Sequence, residues 1–60
     1  MSLREFERWL KKHGARFERH GSKHDIWANG EAKASVPRHG EIRRGTASSI
    51  CKQLNIPEPR

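Results

Sequence analysis

Lys23-His24-Asp25-Ile26-Trp27-Ala28-Asn29-Gly30-Glu31-Ala32-Lys33-Ala34-Ser35-Val36-Pro37 is the stretch whose reading fixes the architecture. Asn29-Gly30 is the strongest two-residue hairpin signal available, because a type I′ turn requires positive φ at both central positions. It divides the run into two strands. Residues 23–28 owe their β character to Ile26 and Trp27. In residues 31–36, Ala32, Ala34 and Val36 face one way, and Lys33 and Ser35 the other. Ile26 is expected on the core side, which leaves the Trp27 indole for the open face. Pro37 has no N–H to donate and ends the pairing.

Upstream, Gly21-Ser22 reads as a second hairpin turn. Before it, residues 15–20 alternate, with Ala15, Phe17 and Arg19 on one side and Arg16, Glu18 and His20 on the other. Phe17 is the expected core anchor of this first strand. Further back, Ser2-Leu3-Arg4-Glu5 has the form of a capping box. Leu3, Phe6, Trp9 and Leu10 then fall on one face at helical spacing. Lys11, Lys12 and His13 suit the negative end of the helix dipole, and Gly14 supplies a left-handed C-cap. A helix is expected over residues 3–13.

Downstream, residues 38–45 form a polar loop with Ile42 as its apolar pin. Thr46 reads as the N-cap of a second helix whose buried stripe is Ala47, Ile50, Cys51 and Leu54. Asn55 is placed to end it, Pro57 and Pro59 prevent continuation, and residues 57–60 are expected to fray. The order is helix, three strands, helix, read as one domain over residues 1–60. This is an α+β fold of α-β-β-β-α order, a three-stranded antiparallel sheet with two helices on one face. Double-stranded-RNA-binding domains share this order and layering. The opposite sheet face is left open, with Arg16, Glu18 and Lys33 on it.

Composition narrows the partner class. Thirteen Lys and Arg against seven Asp and Glu give a net charge of +6 on 60 residues. That excess favours a polyanion, with nucleic acid ahead of an acidic protein. No helix combines a basic face with a broad apolar one, so a membrane surface is not the expected partner. The single Cys51 excludes Cys-rich zinc modules and fits a reducing, cytoplasmic setting. The chain has no apolar run long enough to span a bilayer and no signal-peptide core, so a soluble, intracellular protein is expected. His13, His20, His24 and His39 lack paired ligand spacing and an accompanying acidic cluster, so no metal site and no cofactor is expected.

His24 stands out, because a turn of small residues delivers a titratable imidazole at the head of an apolar run, among Arg16, Arg19, Lys23, Lys33, Arg38, Arg43 and Arg44. An imidazole in a cationic field suits phosphate chemistry. Residues alone leave a solvated edge-strand histidine equally open. They leave His39 between a structural and a phosphate-contact role, and Trp27 between stacking on a base and contacting a protein partner.

Three segments together carry a more specific signal. They are Gly21-Ser22-Lys23-His24, then Val36-Pro37-Arg38-His39 followed by Glu41-Ile42, and Lys52-Gln53-Leu54-Asn55-Ile56. With Phe6-Glu7-Arg8-Trp9-Leu10 and Lys12-His13-Gly14, they make a chain that resembles the HicA family of bacterial mRNA interferase toxins from type II toxin–antitoxin systems. The resemblance covers about residues 3 to 56. It implies a double-stranded-RNA-binding-like fold, endoribonuclease activity on mRNA, and a cognate HicB antitoxin that covers the active site. It implies that His24 is the catalytic residue. Ser22, Lys23, Arg38, His39 and Arg43 are then the expected contacts to RNA or phosphate, with His20 and His39 as candidate partners in proton transfer. A non-catalytic RNA-binding module of the same fold is the alternative. Many relatives carry an apolar residue after this histidine where this chain has Asp25. Alternation points Asp25 away from His24; were the two close, the carboxylate would favour the charged imidazole.

Overall fold

Ser2 opens the first helix as the sequence requires. In the computed structural model, which describes residues 1–38 and 40–59, the Ser2 hydroxyl accepts from the Glu5 N–H at 3.1 Å and donates to the Glu5 carboxylate at 3.0 Å. α1 spans Leu3–Lys12. It closes in a Schellman motif: Gly14, at φ +94°, donates to the Lys11 carbonyl, and Ala15 donates to that of Leu10. α2 spans Arg44–Gln53 and stops the same way. Asn55 takes the left-handed position at φ +57°, Asn55 donates to Lys52, and Ile56 donates to Cys51. Thr46 is not the N-cap. Arg43 holds that position, without a side-chain cap, and Thr46 lies inside the first turn.

Between the helices run β1 (Arg16–His20), β2 (His24–Asn29) and β3 (Ala32–Pro37), an antiparallel meander in the order β1-β2-β3. The β2–β3 turn sits one residue later than expected. Asn29 pairs with Ala32, so Gly30 and Glu31 are the central residues. Gly30 alone has positive φ, +63°, which is the type II′ pattern of glycine first. Asn29 instead donates through Nδ2 to the Leu54 carbonyl at 2.7 Å, tying the hairpin to the end of α2.

The core gathers Phe6 and Leu10 of α1, Ala47, Ile50 and Cys51 of α2, Leu54, Ala34 and Val36 of β3, Ile42, and Trp27. Trp27 is therefore inside, only 2% exposed, and Ile26 points to the other face. Cross-strand partners share a face, and Trp27 pairs with Ala34 while Ile26 pairs with Ser35. Phe17 is not a core anchor either. It is 41% exposed and meets Trp27 edge-on at 6.1 Å, out on a strand whose residues are all exposed.

A bulge between Phe17 and Arg19 breaks the expected alternation of β1. Beyond it, Arg19 pairs with Ile26 and His20 with Asp25, so His20 moves to the helix-side face and Arg19 to the open one. Across the open face Lys33 pairs with Glu18 at 3.2 Å.

The loop after β3 is pinned by Ile42 as expected, and it also pairs with the chain's start. Leu3 donates to Gly40, Ile42 donates to Met1, and Ser2 bridges Glu41. The tail folds back at residues 57 and 58: Trp9 Nε1 donates to the Pro57 carbonyl at 2.8 Å, and Ser48 bonds Glu58. Arg60 lies outside the described residues. Helix, antiparallel meander and helix around one core make this an α+β fold of the double-stranded-RNA-binding type. No helix among the described residues is long and apolar enough to cross a membrane.

Candidate active site

His24 is the first residue of β2, and its partner Pro37 is the last of β3. The imidazole therefore stands where the sheet ends, exposed, on the face shared with Ile26 and Ser35. A three-residue loop, Gly21-Ser22-Lys23, leads into it. The Gly21 N–H donates to the His24 carbonyl at 2.7 Å, fixing the backbone at the position that carries the ring. The approach leaves no space for a side chain, since a Cβ on Gly21 would lie 2.6 Å from that oxygen.

Two adjoining clefts meet at His24. One, of about 450 Å³, is walled by His24, Pro37, Glu41, Ile42, Arg43 and Thr46. The other, of about 360 Å³, runs from His24 along Ser35 and Pro37 to Gly45, Thr46, Ser49 and Gln53. Both therefore open onto the first turn of α2. The leading amides of a helix have no intrahelical acceptor. Here no side chain caps them and no acidic residue sits in the first turn. The N-terminal end of the helix dipole thus faces the same space as the imidazole, an arrangement suited to an anion. A third concavity, of about 480 Å³, lies between Met1, α2 and Pro59, away from His24.

The expected site residues divide. Arg43 occupies the N-cap position of α2 without capping its amides, and it walls the first cleft with His24. Ser22 and Lys23 are exposed in the loop before it. Arg38 is turned elsewhere. Its Nη2 donates to the carbonyls of Gly21 at 3.3 Å and Ser22 at 3.1 Å, while its Nε lies 3.6 Å from Asp25 Oδ1. His39 lies outside the described residues.

Asp25 points away from His24, as alternation requires, into the helix-side face beside Val36, and is 7% exposed. Its Oδ1 accepts from His20 Nδ1 at 2.8 Å. His20 thus sits on the face opposite His24, one ring nitrogen engaged by the carboxylate and its ring 4.9 Å from that of Phe17. His13 caps α1 and packs against Trp9 at 4.3 Å.

Two contributors escape the sequence reading. The amides of the α2 first turn carry no residue signature of their own, and placing the cap at Thr46 hid them. Glu41 lines the cleft with His24 and pairs with the N-terminal ammonium at 3.1 Å. In the sequence Glu41 enters only through the Glu41-Ile42 pair that helps carry the family resemblance, with no role of its own assigned to it.

Among the described residues, no three His, Cys, Asp or Glu side chains gather as a metal-binding group. The arrangement offers a proton donor or acceptor, an anion-attracting helix end and nearby cations at one edge of the sheet. No curated protein and no solved structure matches the chain. A family model does, the one described as HicA toxin of bacterial toxin-antitoxin, over residues 3–56. That span takes in both helices, all three strands, the Gly21-Ser22-Lys23-His24 turn and the Glu41 loop, and on it the chain belongs to the HicA toxin family of bacterial toxin–antitoxin systems.

Proposed function

We propose that the chain is an endoribonuclease that cuts mRNA with His24 as its general acid or base, and that a HicB-type antitoxin silences it by covering that residue. The observation that carries this reading is the meeting of an exposed imidazole with the uncapped N-terminus of α2 in one cleft. RNA brings its own nucleophile. The 2′-hydroxyl attacks the adjacent phosphorus, the bond to the 5′-oxygen breaks, and a 2′,3′-cyclic phosphate and a 5′-hydroxyl result. The protein must move two protons and stabilise the charge that builds on the phosphoryl oxygens.

His24 performs one proton transfer. Glu41 is the other acid/base side chain on that wall among the described residues, and it takes the second. The α2 amides, Arg43 and Lys23 stabilise the phosphoryl charge. The net charge of +6 draws the polyanion in and gives an affinity that falls with salt. An acidic antitoxin would compete for the same field.

The test uses a long mRNA transcript and the purified protein. The wild type should generate new ends bearing cyclic phosphate, in the presence of EDTA as in its absence. His24→Ala should bind the transcript with unchanged salt dependence and cut it at least ~100-fold more slowly, the scale of a lost proton-transfer group. Glu41→Gln should slow cleavage without weakening binding. Cleavage by His24→Ala at the wild-type rate would remove His24 from the chemistry. Salt-sensitive binding with no new ends from the wild type would instead establish a non-catalytic RNA-binding module.

A further inference from the structure

We propose that Arg38, Asp25 and His20 form a clamp that holds the Gly21-Ser22-Lys23 turn, and that Arg38 serves the reaction by positioning His24 rather than by gripping phosphate. The catalytic consequence rests on His24 being the reacting histidine; the clamp itself does not. Asp25 is the hub. Its buried carboxylate receives His20 Nδ1 from the end of β1 and faces Arg38 Nε from just beyond β3. A charge taken out of water needs such partners, since desolvation disfavours it strongly when it is unpaired. The bulge in β1 brings His20 to the correct face for this, and the odd position of Asp25 does the same on β2.

Arg38 extends the hub to the turn. Nη2 donates to the Gly21 and Ser22 carbonyls, two acceptors in a solvent-facing loop. A planar guanidinium can meet a carboxylate on one edge and carbonyls on another, which an ammonium cannot. The turn is thereby held at Gly21 and Ser22 from outside and closed at Gly21 and His24 from inside. Between these ties the chain has little freedom in where it starts β2, and His24 is the residue at that start. The Asp25 carboxylate 3.6 Å from Nε also offsets part of the field Arg38 offers an RNA. Arg38 remains a positioning residue, because its described contacts are with the turn and Asp25 and not with the cleft walls.

Arg38→Ala, Arg38→Lys and Asp25→Asn test the proposal, after circular dichroism has verified their fold. Amide hydrogen exchange by NMR reads the clamp without any RNA. The Gly21 amide should exchange at least ~10-fold faster in all three variants, while the Ile56 amide, bonded to Cys51, stays protected because local openings are independent of distant ones. If Asp25→Asn fails to fold, the two Arg38 variants still decide. Unchanged Gly21 exchange in both would overturn the clamp.

The second arm measures RNA affinity against salt in the His24→Ala background. A clamp leaves the slope of log affinity against log salt unaltered in Arg38→Ala. A phosphate ligand lowers it by about 0.7 for a single-stranded site, and that result would overturn the positioning role. The third arm is cleavage. Arg38→Ala and Asp25→Asn should each lower kcat about 10- to 100-fold with KM nearly constant, the scale expected of a misplaced reacting group. Their combination should be no worse than either alone. A rise in KM confined to Arg38→Ala would count as phosphate binding and against positioning. If the wild type cuts no RNA, the nuclease reading fails and the exchange measurement alone judges the clamp.

Discussion

Gly21 shows how much one missing side chain decides. A Cβ there would meet the His24 carbonyl at 2.6 Å, and that atom is backbone in a bonded turn, so the turn itself must give way. Gly21→Ala should cost about 1–3 kcal/mol in urea unfolding, the range for a side chain forced into closed packing, and should slow cleavage beyond what the lost stability explains. Unchanged stability would mean that the turn has another arrangement of equal energy. The sequence signals a turn here, but its hairpin rules concern φ, and this glycine is needed for proximity. Trp27 teaches a related lesson. A two-residue loop at 29–30 and the observed one at 30–31 both pair odd residues of β2 with even residues of β3. The first would pair Trp27 with Ala32 and the second pairs it with Ala34, so either register places Trp27 on the face of Ala32, Ala34 and Val36, in the core. Expecting Ile26 inside weighed one residue's hydrophobicity above the face dictated by its partner.

Helices and their stops were legible in the sequence because their signals are local. Ser2 with Glu5, Gly14 and Asn55 act within a single turn of chain. The bulge in β1 and the start of α2 were not, since both depend on what the segment meets. Glu18 is extra only relative to β2, and Arg43 occupies the N-cap because the preceding loop pairs with Met1 and Leu3. An arginine at an N-cap is a poor choice for the helix and a good one for an anion site. Arg43→Ser should therefore raise stability by about 0.5–1 kcal/mol by capping the amides. Arg43→Asp should stabilise as well while weakening RNA binding and cleavage more than Arg43→Ser, because a carboxylate then competes for the anion's place. Urea midpoints and filter-binding affinities across the three proteins check this. Parallel gains in stability and RNA affinity for Arg43→Asp would remove the α2 N-terminus from the site.

At the scale of the whole molecule, a 60-residue chain buries only roughly 60% of its unfolded surface, so the core has little stability to spare. Cys51 sits at its centre and reports on it. Burial, and then the charge of Glu58 in the returning tail, push the thiol above its ordinary value of 9.0. The folded chain thus keeps a proton that the unfolded chain gives up. The stabilisation is intact below pH 9.0 and is lost as pH rises from there through the folded thiol's own value. Urea midpoints should fall between pH 8.5 and 9.5 in the wild type and fall less in Cys51→Ala, whose lower absolute stability reflects the cavity it leaves. Equal slopes would show that the thiol does not titrate differently in the two states. Since the neutral, buried thiol is unreactive, a thiol reagent should label Cys51 through unfolding, faster with added urea. RNA bound to the folded state alone should then slow labelling at a residue outside the His24 clefts. Occupancy at 100 times the dissociation constant is worth about 2.7 kcal/mol, or roughly 100-fold in rate. RNA held equally well by the unfolded chain, through charge alone, would leave the labelling rate unchanged and would show that the folded cleft adds nothing to the affinity.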